Sequence, residues 1–413
     1  MSVEIASHGS GAGSNVSTCR EQTSAPTKAC DPGAAKQPLA AARPSPRFPF
    51  QSKRGATVNM AGRFERQTRE PAYEGRLDES LDGFLADFGN GLPENAGFSP
   101  AQITLERARR IITRNDSPDI SFDRSINPYR GCEHGCSYCF ARPTHSYMGL
   151  SPGLDFEQRL FVKQDAAALL EKELSAPGYQ PQTIAIGTNT DPYQPIERQH
   201  RVMRSILEVL SRTNHPVGIV TKSALATRDI DLLAPMAQKG LVKVALSVTT
   251  LDSKLSRAME PRAAQPQVRI DTIRTLARAG IPVSVMVAPV IPAVTDHEIE
   301  TILTRAHEAG AREAGYILLR LPLEVADIFR AWLETHFPER LEHVMALVRG
   351  SRGGKDYEST FGMRMTGSGP YAWMLGRRFE IAARRNGYNR QRQKLRTDLF
   401  KRPVRQGEQM SLF

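Results

Sequence analysis

Three cysteines stand within eight residues, at Cys132, Cys136 and Cys139, in the stretch Asn127-Pro128-Tyr129-Arg130-Gly131-Cys132-Glu133-His134-Gly135-Cys136-Ser137-Tyr138-Cys139-Phe140. Thiolates at C-x3-C-x2-C spacing make a compact set of soft metal ligands. Gly131 and Gly135 free the backbone to curl round a bulky object. A four-iron cluster ordinarily takes four cysteine ligands, so three would leave one iron open to a small ligand. Zinc is the rival: Cys136 and Cys139 form a C-x2-C pair, and Cys132 with His134 or His145 would complete a tetrahedral site. A structural zinc site more often draws its second pair from a distance, and no such pair of Cys or His stands downstream. Three unliganded buried thiols are the remaining reading, and they suit a stretch of Gly, Glu and His poorly.

Such a loop needs a scaffold. From Ile126 onward short apolar runs alternate with helical patterns. Strands are expected at Ser125–Tyr129, Thr183–Gly187, Val217–Thr221, Val242–Val248, Val283–Ala288 and Gly315–Leu319, most of them rich in Val or Ile. Helices are expected at Ala166–Leu174, His200–Leu210, Ile230–Ala237 and Arg269–Arg278. A fifth is opened by Thr295, with Glu298 three residues on as a capping box. Six strands alternating with five helices predict parallel strands and right-handed crossovers. Periodicity alone allows either an open doubly wound sheet or an incomplete barrel. The cysteine stretch follows the first strand, which places it at a strand C-terminus, where parallel α/β folds carry their functional loops.

After Leu321 the pattern turns helical, at Val325–Phe337, Pro338–Val348 and Pro370–Asn386. This part is expected to pack on the barrel as an appendage. Residues 1–60 are rich in Ser, Ala, Gly and Pro and read as a disordered tail. Residues 61–120 form a mixed, polar lead-in.

The chain has 413 residues, of which 40% are apolar, enough for a sizeable core. Five cysteines are an odd count, which argues against a disulfide framework and for a reducing, cytoplasmic setting. No apolar run is long enough to span a membrane, and no secretory signal stands at the start. The net charge is +11, and Arg377–Arg405 holds eleven Lys or Arg against Glu380 and Asp398. That block suits either a phosphate-binding surface or a solvated tail.

The cysteine pattern, with an aromatic before its last Cys and after the first strand of a β/α series, resembles the radical S-adenosylmethionine (SAM) superfamily. The longer string Asn127–Cys139 joins Ala141-Arg142-Pro143-Thr144-His145 and Gly187-Thr188-Asn189-Thr190-Asp191-Pro192-Tyr193-Gln194-Pro195. Together they resemble a bacterial subfamily related to spore photoproduct lyase. The resemblance implies an α/β fold with a partial (β/α)6 TIM-like barrel over 121–322 and a helical, basic extension over 323–413. It implies a [4Fe-4S] cluster on the three cysteines, SAM chelated at the open iron, and an electron donor of the flavodoxin or ferredoxin type. It also implies a 5′-deoxyadenosyl radical that takes hydrogen from a substrate.

The resemblance places Tyr138 near adenine. Thr188, Asn189 and Asp191 fall near the methionyl amino group. Lys222 is placed to pair with the methionyl carboxylate and Ser247 to bond the ribose. Arg320, after the sixth strand, needs an anion, either from substrate or from an internal Glu such as Glu260. His145 reads as a loop hydrogen-bonder. Cys19 and Cys30 are the only other cysteines. A folded-domain thiol to return hydrogen, as spore photoproduct lyase uses, is therefore missing. Substrate identity stays open, with nucleic acid suggested by the basic block and the kinship. The alternative is a nucleic-acid-binding protein whose metal site is purely structural.

Overall fold

The computed structural model describes residues 54–65 and 101–403. Six parallel strands form the frame: β1 (Arg124–Ile126), β2 (Ile184–Ile186), β3 (Val217–Thr221), β4 (Val242–Ser247), β5 (Val283–Val290) and β6 (Glu313–Leu318). They pair in chain order, and the strand Ile112–Arg114 lies antiparallel on the outer side of β1. Among the described residues β6 pairs only with β5, so the frame is an open, partial (β/α)6 barrel. Strands buried on both faces read as unbroken apolar runs. Val217, Gly218 and Ile219 of β3, Val244, Ala245 and Leu246 of β4 and Val283, Ser284 and Val285 of β5 are all buried.

Five crossover helices cover the frame: α1 (Ala166–Leu174), α2 (Val202–Arg212), α3 (Ile230–Gln238), α4 (Pro266–Arg278) and α5 (Ile299–Glu308). Each buries one stripe at helical spacing, such as Val202, Ile206, Val209 and Leu210 of α2. α2 begins later than its pattern suggests. Arg201 adopts the left-handed conformation, and the buried Glu197 carboxylate accepts from the Met203 amide at 2.9 Å.

The expected capping box at Thr295 does not form. The Thr295 hydroxyl accepts from the Ile291 amide, and the Glu298 carboxylate is taken by Thr250 and the Leu251 amide. Both side chains tie the start of α5 to loops at the strand ends, which leaves neither free to cap. The expected first strand is also shorter. Tyr129–Arg130 leaves the frame and joins a small sheet with Arg159–Val162, beside Gln102–Leu105.

Three further helices follow β6: α6 (Val325–His336), α7 (Leu341–Gly350) and α8 (Gly369–Asn386). Phe329, Trp332 and Leu333 of α6 pack with Val344 and Val348 of α7 in a second core that reaches Cys136 and Tyr138. α8 lies against the barrel: Phe379 meets Tyr316 of β6 at 4.8 Å between ring centroids, and Arg378 pairs with Glu300 of α5 at 2.7 Å.

The basic block is not a free tail. Beyond α8 the chain first lines the cavity with Asn389 and Arg392 and, from Arg396, crosses the barrel end opposite the cysteines. The Arg396 amide donates to Gly240 and the Lys401 amide to Thr213, and the Phe400 ring packs on Tyr179 and His215. Arg377 pairs with Glu380 and Arg396 with Asp398. Arg405 lies outside the described residues.

Residues 54–60 correct the expected disordered tail. Arg54, Gly55, Ala56 and Val58 are buried: the Gly55 and Ala56 amides donate to the buried Glu157 carboxylate, which composition does not reveal, and Val58 packs with Leu154 and Ile328. The rest of that tail, with Cys19 and Cys30, lies outside the described residues. No helix among the described residues is long and apolar enough to cross a membrane.

Candidate active site

Parallel strands deliver their C-terminal ends to one mouth, and here that mouth is a cavity of about 570 Å3. Its wall takes Cys132, Cys136, Tyr138 and Cys139 after β1, Thr188, Asn189 and Asp191 after β2, and Lys222 after β3. Ser247 of β4, Met286 of β5 and Arg320 after β6 lie on it too, and it runs down the open side along β6 from Leu318 to Ala314, reaching Arg384 and Arg392. The structure thus brings every cofactor-site residue expected from the sequence to one surface. The three cysteines are free thiols, Cys132 and Cys136 buried and Cys139 half-buried. Burial pushes all three thiols up, Cys136 to about 12. Among the described residues no three His, Cys, Asp or Glu side chains converge on a single point that would hold one metal ion.

The loop is held from behind by Arg142. Its Nε donates to the Cys136 carbonyl at 3.0 Å, and Nη1 donates to the carbonyls of Pro152 and Gly153. Nη2 meets Glu157 at 2.6 Å, with both side chains fully buried. Glu157 also accepts from the Gly55 and Ala56 amides. Gly55 passes so close that a Cβ there would stand 1.5 Å from the Gly135 carbonyl oxygen, and Gly135 itself has φ of 67°. Arg142 and Glu157 were missed as functional residues. The only signal for Arg142 was its place in the Ala141–His145 string, and nothing local marks Glu157.

A second buried group lies behind Tyr138 of the cavity wall. The Tyr138 hydroxyl donates to Glu260, which also pairs with Arg269 and accepts from Thr249. Burial alone would raise the Glu260 carboxyl, yet the charges of Arg269 and Lys222 hold it at about 2. The expected Glu260–Arg320 pair is therefore absent: Glu260 is committed to Arg269, which reaches it from α4.

Asp191 is likewise committed. It accepts from the Thr221 hydroxyl and the Lys222 amide, each at 2.7 Å, and from the Tyr193 amide at 2.9 Å, with His134 at 3.4 Å. Burial opposes its charge, but His134 and these donors hold it at about 2. It fixes the ends of β2 and β3 instead of offering an unpaired carboxylate. Lys222 lies 5.8 Å over the Tyr138 ring, and no carboxylate among the described residues pairs with it directly. His145 is held neutral by burial, its pKa near 4, with Nε2 donating to the Arg159 carbonyl.

The sequence profile of the radical SAM superfamily matches residues 126–306. An uncharacterized protein of Mycobacterium tuberculosis is 39% identical over 232 residues, 56% of this chain and 68% of that protein. The chain belongs to the radical SAM superfamily. A radical SAM Nalpha-GlyT isomerase of Pseudomonas phage M6 is 28% identical over 199 residues, 46% of this chain and 39% of that protein. A structure of spore photoproduct lyase complexed with dinucleoside spore photoproduct shares 16% identity and a TM-score of 0.48, covering 69% of this chain and 80% of that one.

As a radical SAM enzyme the protein uses a [4Fe-4S] cluster and SAM and needs a reductant. Its own residues fit those groups. Burial disfavours the free thiolates of Cys132, Cys136 and Cys139, and bound cations reverse that preference outright. The cavity before them is open enough for a nucleoside and carries a free cation, Lys222, suited to a carboxylate.

Proposed function

We propose that Cys132, Cys136 and Cys139 bind the [4Fe-4S] cluster of this radical SAM enzyme and that SAM occupies the inner part of the cavity. The observation that supports this most is the shared wall: three thiols from the loop after β1 and residues of, or just after, β2 to β6 face one space. When bound, the cluster supplies the electron that cleaves SAM to methionine and a 5′-deoxyadenosyl radical, which takes hydrogen from the substrate. The chain's part is to bind, orient and exclude water. Lys222 pairs with the methionyl carboxylate, Thr188 and Asn189 accept from the amino group, and Ser247 bonds the ribose. The backbone at Tyr138 flanks adenine, and Asp191 acts as the brace between the β2 and β3 loops.

Anaerobically reconstituted protein is expected to be brown, to hold about four irons per chain, and to release 5′-deoxyadenosine on reduction with SAM. Cys136→Ala is expected to abolish that release. A colourless protein with one zinc would instead support the nucleic-acid-binding alternative with a structural metal.

Nucleic acid is the proposed substrate class, supported now by two members of the basic block, Arg384 and Arg392, which line the cavity. Affinity for single-stranded DNA should fall with salt, and Arg384→Glu with Arg392→Glu should flatten that dependence. DNA binding that ignores salt, or is unchanged in the double variant, removes this substrate class.

A further inference from the structure

The carboxylates and cations of the cavity wall do not balance. Its acidic side chains are Asp119, Asp191 and Glu380. Asp119 is paired with Arg364 at 2.5 Å, Glu380 with Arg377 at 2.6 Å, and Asp191 has the four donors described above. Four wall cations, Lys222, Arg320, Arg384 and Arg392, have no carboxylate partner among the described residues.

Arg320 is the most constrained of them. Its guanidinium lies 4.8 Å over the Phe140 ring, next to Cys139, with the Tyr357 ring 5.9 Å away. Nη1 meets only the Met365 sulfur at 3.5 Å and Nη2 only the Tyr357 hydroxyl at 3.3 Å. Nε is buried with no acceptor. A second guanidinium, Arg352, stands nearby; its Nη1 and Nη2 donate to the carbonyls of Met363, Leu318 and Leu319, while its Nε is buried without an acceptor. Burial and the Arg320 charge together press Arg352 down to about 10. A partly buried cation set beside another cation, with one donor unused, lacks its anion. Lys222 is assigned to the SAM carboxylate, so that anion comes from elsewhere.

We infer that Arg320 binds an oxyanion of the substrate, phosphate or carboxylate, and so fixes the substrate beside the cysteine loop. The inference rests on the reading that SAM fills the inner cavity and substrate the outer part. Both oxyanions suit the guanidinium fork, which binds them through two parallel hydrogen bonds. Phe140 and Tyr357 keep the fork in one plane, which a lysine would not reproduce.

The test is a ligand-observed NMR titration of reconstituted holoenzyme with SAM present. The probes are phenyl phosphate, benzoate and neutral phenol, run on wild type, Arg320→Gln and Arg320→Lys. Phenyl phosphate or benzoate should bind wild type and phenol should not. Arg320→Gln should weaken the bound anion at least tenfold, with Arg320→Lys between the two. Stronger phenyl phosphate binding assigns a phosphate-bearing substrate, and stronger benzoate binding a carboxylate. Equal anion affinity in wild type and Arg320→Gln, or no anion binding to wild type, overturns the inference. Iron content and visible absorbance of the same samples test the cluster separately. A protein loaded with iron whose anion affinity ignores Arg320 loses this inference alone, and a protein that never loads loses the cluster reading.

Discussion

At the scale of single residues, the cysteine loop depends on charges that never touch the cavity. Arg142 makes four hydrogen bonds that hold the loop and its surroundings, and Glu157 is its only ionic partner among the described residues. Glu157 in turn fastens Arg54, Gly55 and Ala56. A buried cation stripped of its partner destabilises by about 3–5 kcal/mol. Glu157→Gln keeps the side chain's size but leaves the Arg142 charge uncompensated. It is therefore expected to lower stability by that order and to reduce the iron held per chain. Denaturant unfolding and iron assay of the purified variant check both outcomes. A variant as stable as wild type and fully loaded would show that Arg142 holds the loop without its counter-ion.

At the scale of elements, most of the barrel could be read in advance, because its signals are local. Val217–Thr221 and Ala166–Leu174 were placed at their observed ends by β-branched runs and by helical spacing of Leu170 and Leu174. The cysteine pattern stands within one loop and so was equally plain. What escaped depends on partners far along the chain. Thr295 and Glu298 have the spacing of a capping box, but contacts from Ile291 and from the loop after β4 take their side chains. Arg320 and Glu260 seemed matched, yet α4 brings Arg269 to Glu260 first. Residues 54–58 look like linker in composition, and their order comes from a carboxylate about a hundred positions later. The basic block was legible as charge but not as geometry. Its division between the cavity wall and the opposite end follows from Phe400 docking on Tyr179 and His215.

At the scale of the whole molecule, two buried neutral histidines stand at opposite ends of the barrel, and each contributes to its response to acid. His145 lies behind the cysteine loop, and His215 lies under the C-terminal strap. Tyr179 donates to Nε2 of His215, and Nδ1 donates to the Pro216 carbonyl. Burial holds both rings near 4, below the 6.5 of a free imidazole, and the nearby charges of Arg142 and Arg124 add to it. A folded-state value below the unfolded one means that the unfolded chain takes up protons first as pH falls. The contribution of each ring is therefore complete above pH 6.5 and is lost progressively toward pH 4. By linkage the loss between pH 7 and pH 5 is about 2 kcal/mol per histidine. His215→Gln removes one of these rings far from the cysteines, so iron binding does not confound the comparison. Urea unfolding at pH 7 and pH 5 should show wild type losing more stability across that interval than the variant, by roughly the same 2 kcal/mol. Equal losses in the two proteins would mean that His215 takes up its proton as readily in the folded barrel as in the unfolded chain, and that it contributes nothing to the acid response.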